Sequence, residues 1–306
     1  MRINKIEFRH TGFSMKLINI RSTIGHRLGI VLGNCLIDAA AAAQALSLSA
    51  PTTMQALIAQ ENGGLAALQN LADEAWDAEV GVLPLKGIQP GPAAPAPGKI
   101  ICVGLNYRHH AIEAGMDIPA EPILFSKFSN SIAASGEEID VTGLVKIDYE
   151  AELGVVMGKR GKHIPTDQAL GHVLGYCNAN DLSERALQFT SGQWLLGKSL
   201  DGFLPNGPFL RTPEPGFDPQ NLEIRGWLNG ELRQESNTSD MIFSIPELIS
   251  YISTYMTLEP GDLIITGTPM GVILGMEDKQ WMKPGDEYAV EICGLGKLRN
   301  RLVSDV

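Results

Sequence analysis

The chain has 306 residues, enough to bury a full core in one domain or in one large and one small, and its 44% hydrophobic and 19% charged residues suit a soluble globular protein. A formal net charge of −11 argues against a nucleic-acid or anionic-membrane partner, since either needs basic patches. Cysteines 35, 102, 177 and 293 are far apart and read as buried thiols in a reducing compartment; with no transmembrane run and a cleavable signal not expected, the default expectation is a cytoplasmic protein.

Residues 1–14 read as an upstream extension, and a strand opens at Met15. Residues 26–38 alternate around Gly33-Asn34, which predicts a hairpin. Short helices are expected over 39–48, 54–60 and 65–76. Between Gly87 and Gly98, Pro90, Pro92, Pro95 and Pro97 favour an extended linker. The expectation is therefore a small N-terminal α+β domain over 15–98, followed by a larger domain over 99–306. Beyond Lys99 strands dominate: 100–103, 123–125, 149–157, 173–179, 223–228, 262–266 and 287–292 are the clearest. Pro260-Gly261-Asp262 and Pro284-Gly285-Asp286 each read as a turn opening a strand, and 243–256 has helical spacing. The fold class is α+β and rich in β. No solenoid repeat and no phosphate-binding glycine fingerprint is present.

Residues 148–201 carry the chemistry. Alternation along a strand puts Glu150 and Glu152 on one face, roughly 7 Å apart at Cα. The opposite face reads Tyr149, Ala151, Leu153 and Val155, which is core. The glutamate face continues into Gly154, Val156 and Gly158, whereas a solvated face would keep alternating polar residues. Two readings stand: a solvated E-x-E pair, or a buried pair that needs a cation. Asp181 follows the 173–179 strand. It could cap a helix with Glu184 three residues on, or project as a ligand from the strand end, and a carboxylate with two oxygens can do both. Three such carboxylates can hold a hard divalent cation, and Lys198 can add positive charge beside it.

Asn106 can cap a short helix beginning at Tyr107, placing His110 and Glu113 on one face. A carboxylate beside an imidazole fixes its tautomer and raises its basicity, as a water-activating base requires. His109 fits Glu113 nearly as well at i, i+4, and an exposed surface pair is the plain alternative. Spacing does not choose.

Six segments in order, DYEAELGVV, NDLSER, GKSLDGFLPNGPFL, NGELRQESNTSDMIF, LEPGDLIITGTPMGV and ICGLGKLRN, resemble the fumarylacetoacetate hydrolase family over residues 99–306. GLNYRHHAIEAGMDIPAEPILFSK and the GQW before Gly197-Lys198-Ser199 are most similar to the subgroup acting on diketo-deoxy sugar acids. The resemblance implies a catalytic domain built as a mixed β-sandwich roll, Mg²⁺ or Mn²⁺ held by Glu150, Glu152 and Asp181, and a homodimer. It implies a small anionic 2-oxo acid as substrate. It selects His110 with Glu113 on a mobile lid and makes Lys198 an oxyanion lysine. Lys127 and Arg185 become candidates for carboxylate contact, and Gln193, Trp194 and Thr268 become substrate-side positions. The expected reaction is hydrolysis of the C3–C4 bond of a 2,4-dioxo acid to pyruvate and a second acid, lactate for a diketo-deoxy-hexonate. Two alternatives share the equipment: oxaloacetate decarboxylation or another lyase reaction through the same enolate, and a non-catalytic binding protein of the fold.

Overall fold

Aliphatic runs buried on both faces build the centre of the molecule. Every residue of strand Ala151–Met157 is buried, and so is all but the first of Val173–Asn180, the pattern of strands covered on both sides. The computed structural model describes residues 14–304 apart from 24 and 114; the expected extension over 1–14 lies, but for Ser14, outside the described residues.

An eleven-stranded mixed sheet organises the fold. Its path runs Val82–Pro84, Cys35–Asp38, Gly25–Leu32, Lys16–Ser22, Leu204–Arg211, Val173–Asn180, Ala151–Met157, Leu263–Ile265, Ile100–Gly104 and Ile123–Ser126, with Ile132–Ala133 paired to Leu204–Arg211 off that path. A second sheet of five strands, from Glu231–Asn237 through Glu223–Leu228, Glu287–Ile292 and Lys297–Val303 to Glu138–Asp140, packs against one face of the first. Tyr149, Leu153, Val155 and Tyr176 from one side meet Ile224, Val290, Ile292 and Leu298 from the other in a single apolar cluster. This is the strand-rich α+β sandwich expected from the sequence.

The hairpin and the three N-terminal helices form as expected. Asp38 caps helix Ala39–Leu46 by accepting from the amides of Ala40 and Ala41, and helix Gly64–Ala78 buries Leu68, Leu71, Ala72 and Ala75 against Leu28, Ile30 and Ile37. The sheet runs without a break from this region into the rest, since Lys16, Leu17 and Ile18 pair with Arg211, Leu210 and Phe209. The proline-rich stretch is held to the body as well: Ala93 and Ala94 are buried, and the Ala94 amide donates to Asn206 Oδ1 at 2.8 Å.

Strand Leu204–Arg211 is not among the predicted ones, because Pro205, Gly207 and Pro208 read as breakers. Its pairing with Val173–Asn180 shifts register between Tyr176 and Asn178, and Asn178 Nδ2 donates to the carbonyls of Gly207, Leu295 and Gly296.

Candidate active site

Glu150 and Glu152 stand at the start of the buried Ala151–Met157 strand, and Asp181 follows the antiparallel Val173–Asn180 strand, whose Asn180 pairs with Ala151. Their nearest carboxylate oxygens all lie within 4.8 Å of one another, and all three residues are buried. The solvated reading of E-x-E is therefore excluded. Helix capping is excluded for Asp181 too: Glu184 is the N-cap of helix Arg185–Gln188 and accepts from the Leu187 amide, while the Asp181 side chain turns to two lysines.

Four buried carboxylates, these three and Asp148, face three buried cations, Lys127, Arg185 and Lys198. Lys198 Nζ donates to Glu150 Oε2 at 2.7 Å and Asp181 Oδ2 at 2.8 Å. Lys127 Nζ donates to Asp181 Oδ1 at 2.5 Å and to the Leu182 carbonyl at 3.0 Å. Arg185 reaches Glu150 Oε1 at 2.7 Å, and Asp148 Oδ2 through Nη2 at 2.8 Å and Nε at 2.9 Å. Burial raises the Glu150 pKa, but the Lys198 ammonium and the Arg185 guanidinium overcome it and hold the group at about 2. Burial lowers the Lys198 pKa, and Asp181 and Glu150 more than reverse it.

Glu152 differs. It accepts from the Gly267 amide at 2.6 Å and has no salt bridge among the described residues. Burial, then Asp181, then Glu150 push its carboxyl well above the usual range. Such a group marks where a further positive charge is needed. An all-oxygen donor set of this kind fits a hard divalent cation. Gly267 is required here: its φ is +99°, and a Cβ would come within 2.8 Å of Asn106 Cβ.

A cavity of about 360 Å³ opens above these carboxylates. Glu150, Glu152, Arg185, Lys198 and Thr268 line its polar side, and Phe125 with Trp194, in edge contact at 5.2 Å between centroids, forms an apolar wall. At its mouth His110 Nδ1 lies 3.3 Å from Glu113 Oε2, and both residues line the cavity. His109 instead pairs with Asp240 at 2.8 Å with its side chain 66% exposed. Asn106 does not cap the Arg108–Glu113 helix. It donates to the carbonyls of Thr266 and Phe243 and accepts from the Phe243 amide, tying the helix entry to the loop after Leu263–Ile265. Glu113 in turn accepts from the Gly271 amide at 3.1 Å.

Not every candidate reaches the cavity. Gln193 is exposed on the preceding turn, outside the lining, and the Lys127 ammonium is engaged by Asp181 beneath the floor. Two side chains not singled out by the sequence pattern are brought in. Gln188 lines the cavity and accepts from Arg185 Nη1 at 2.9 Å, its signal being the three-residue spacing from Arg185. Asp148 extends the D-x-E-x-E alternation by one step. Helix Leu195–Lys198 comes close enough to deliver Lys198 because residue 197 is glycine: a Cβ there would lie 2.6 Å from Gln188 Cα and closer still to the Glu184 carbonyl oxygen.

A model of the fumarylacetoacetate hydrolase C-terminal domain matches residues 99–303. The chain belongs to the fumarylacetoacetate hydrolase family. Among its relatives, the mitochondrial oxaloacetate tautomerase FAHD2A of Homo sapiens is 38% identical over 294 residues, 94% of this chain and 92% of the relative. The Xenopus laevis mitochondrial oxaloacetate tautomerase fahd2 is 39% identical over 95% of this chain and 91% of its own length. Of solved structures, the fumarylacetoacetate hydrolase of Exiguobacterium antarcticum superposes with a TM-score of 0.79 at 30% identity, covering 95% of this chain and 100% of that one. The 2-hydroxyhepta-2,4-diene-1,7-dioate isomerase of Mycobacterium marinum gives 0.72 at 28% identity, with 95% and 99% covered.

These relatives are tautomerases, a hydrolase and an isomerase, and the family is one of enzymes. The sugar-acid subgroup is not represented among them. They also overturn the cytoplasmic expectation, because the tautomerases are mitochondrial. The four cysteines are free thiols, two of them buried, one partly exposed and Cys293 exposed. No helix of the described residues is long and apolar enough to cross a membrane.

Proposed function

We propose that this enzyme catalyses the metal-dependent keto–enol interconversion of oxaloacetate or a similar small 2-oxo acid. The observation that carries the reading is the cavity floor, where Glu150, Glu152 and Asp181 converge beside Lys198 while His110 and Glu113 stand at the mouth. The likeness to oxaloacetate tautomerases over 94% of the chain supports it. Hard oxygen donors favour Mg²⁺ or Mn²⁺ at the three carboxylates. When bound, that cation supplies Lewis-acid stabilisation of negative charge on a substrate oxygen.

The chain's own residues do the rest. Glu113 at His110 Nδ1 fixes the imidazole tautomer and leaves Nε2 to move the proton. In one direction His110 takes a proton from C3 and, as the imidazolium, gives it to the substrate oxygen that becomes the enol; in the other it takes that proton back and returns it to C3. Lys198 gives two N–H groups to Glu150 and Asp181, which leaves the third for the enolate oxygen. Arg185 and Gln188 present a spare N–H and an amide to a substrate carboxylate. The small anionic 2-oxo acid and the homodimer are part of this proposal, and light scattering on the purified chain reads the dimer.

A second reading is favoured by the same His110–Glu113 pair, which also suits a water-activating base. It is hydrolysis of the C3–C4 bond of a 2,4-dioxo acid, including a 2,4-diketo-3-deoxy sugar acid, to pyruvate and a second acid such as lactate. Decarboxylation of oxaloacetate through the same enolate is the third outcome. One panel separates the three. A tautomerase clears the ultraviolet absorbance of enol-oxaloacetate without releasing CO₂ or pyruvate, a decarboxylase releases both, and a hydrolase forms pyruvate from acylpyruvates and diketo-deoxy sugar acids. The proposal expects the first pattern, with Mg²⁺ required. Pyruvate from the diketo acids with no acceleration of enol decay would overturn it in favour of hydrolysis.

A further inference from the structure

Asp148 is fully buried and lies next to the cavity without lining it. Its Oδ1 accepts from the amides of Tyr149 at 2.9 Å and Ile273 at 2.8 Å, and its Oδ2 from the Leu274 amide at 2.9 Å and from Arg185 Nε at 2.9 Å. One carboxylate thus joins two cavity walls that are far apart in sequence. The first is the Arg185 guanidinium with Gln188 behind it. The second is the segment 272–275, of which Val272, Leu274 and Gly275 face the cavity. That second wall also seats the acid of the histidine pair: Glu113 accepts from the Gly271 amide, and a Cβ on Gly275 would stand 2.7 Å from Glu113 Cδ.

The number of donors is what sets Asp148 apart. A neutral side chain of the same shape has one acceptor oxygen and an NH₂ group, so it cannot receive the amides on one side and Arg185 with Leu274 on the other. Arg185 would then keep only Glu150 and Gln188 as partners, and Glu150 is shared with Lys198.

We propose that Asp148 is a positioning residue that holds the Arg185 guanidinium and the 272–275 wall, with Glu113 docked on it, in a single register, so that grip on the substrate carboxylate depends on the wall that seats the His110–Glu113 pair. It touches neither substrate nor reacting atoms, and it acts through Arg185 and Glu113. The kinetic part of this inference rests on the proposed 2-oxo acid reaction. The wall register does not.

The test compares Asp148→Asn with Asp262→Asn in the full-length protein. Asp262 is an equally buried aspartate that accepts from the Lys99 and Glu259 amides and pairs with Lys99, outside the cavity. Three readouts are taken: KM and kcat for oxaloacetate, Mn²⁺ affinity by titration, and amide hydrogen exchange. Asp148→Asn should raise KM about tenfold or more, the scale for losing a hydrogen bond to a charged group. It should speed exchange at 271–276 and 108–113 selectively and leave Mn²⁺ affinity within about threefold. Asp262→Asn should leave KM unchanged and speed exchange around 99 and 259 instead. If Asp148→Asn does not accumulate, Asp148→Glu, which keeps the charge but misplaces it against the amides, is measured the same way and should show the same pattern.

Unchanged KM and unchanged exchange at 271–276 in a folded variant overturn the proposal. So does a uniform rise in exchange with equal kinetic loss in both aspartate variants, and so does failure of both Asp148 variants to fold, since each makes Asp148 a general stability residue. A wild-type protein that does not act on oxaloacetate refutes the proposed function instead, and the exchange comparison still decides the role of Asp148.

Discussion

Replacing Lys198 by methionine isolates the charge balance at the floor of the cavity. The substitution keeps an unbranched buried chain but removes the ammonium shared by Glu150 and Asp181. Removing one partner of a buried ion pair costs about 3–5 kcal/mol. Here each carboxylate keeps a second cation, Arg185 on Glu150 and Lys127 on Asp181, so the lower end, about 3 kcal/mol, is expected. At about 2 °C per kcal/mol for a chain of this length, the melting temperature in EDTA should fall by roughly 6 °C. A divalent cation should recover more in the variant than in the wild type, because the same carboxylates then carry one positive charge fewer. At a hundred times its Kd such a cation adds about 2.7 kcal/mol, or roughly 5 °C. Differential scanning fluorimetry in EDTA and in Mg²⁺ or Mn²⁺ reads both effects, while activity should be lost in either condition. A variant that melts with the wild type in EDTA and gains no more from the metal would refute the shared-carboxylate reasoning.

Four further outcomes follow from the same geometry. His110→Ala should slow turnover by about 10²–10⁴-fold, whereas His109→Ala, which loses only an exposed contact to Asp240, should be mild; steady-state kinetics would reverse the assignment if the two were exchanged. Gly197→Ala must push helix Leu195–Lys198 off Glu184 and Gln188, costing about 1–3 kcal/mol of stability and lowering kcat/KM more than the neighbouring exposed substitution Leu196→Ala. Glu152, whose carboxyl is raised by burial, Asp181 and Glu150, binds its proton more tightly folded than unfolded. Stability in EDTA should therefore decline as pH rises above the usual carboxylate range, and Glu152→Gln should flatten that decline and abolish stabilisation by Mg²⁺; a variant still stabilised by Mg²⁺ contradicts its role. Tryptic cleavage after exposed Lys86 should leave both pieces associated on size exclusion, because Lys16–Ser22 pairs with Leu204–Arg211; separate elution would make residues 15–98 an independent unit.

Legibility in the sequence depends on whether a signal is local. Alternation over 149–157 marks one face as core and shows the acidic face continuing into glycine and valine, which leaves a solvated and a buried pair both open; the fold decides for the buried one. The Gly33-Asn34 hairpin and the three N-terminal helices are likewise written in local turn and spacing signals. Leu204–Arg211 is hidden because its prolines read as breakers, and among its ties is Asn178, a distant residue whose side-chain bonds no local pattern reveals. Asn106 has the chemistry of a helix cap, but its partners are Thr266 and Phe243. At the site, residue types are legible while allegiance is not. Lys127 and Lys198 are both cations near the acids, yet only the packing shows that one lies beneath the floor and the other lines the cavity. Gln193 and Gln188 flank the same turn, and the fold turns only Gln188 inward. Spacing leaves His109 and His110 both open; the resemblance selects His110, and the fold separates the two by pairing His109 with Asp240, 131 residues away.

On the proposed function, Glu150, Glu152 and Asp181 would together hold a divalent cation at which a 2-oxo acid is turned over. Crystals grown with Mn²⁺ and oxalate, whose planar dicarboxylate copies the enolate of a 2-oxo acid, test it most directly. One anomalous peak is expected among the carboxylates of these three residues, with oxalate density in the cavity on the side of Lys198 and Arg185. A cavity with no anomalous peak at the three carboxylates, or Mn²⁺ bound elsewhere while oxalate fills the site, would contradict it.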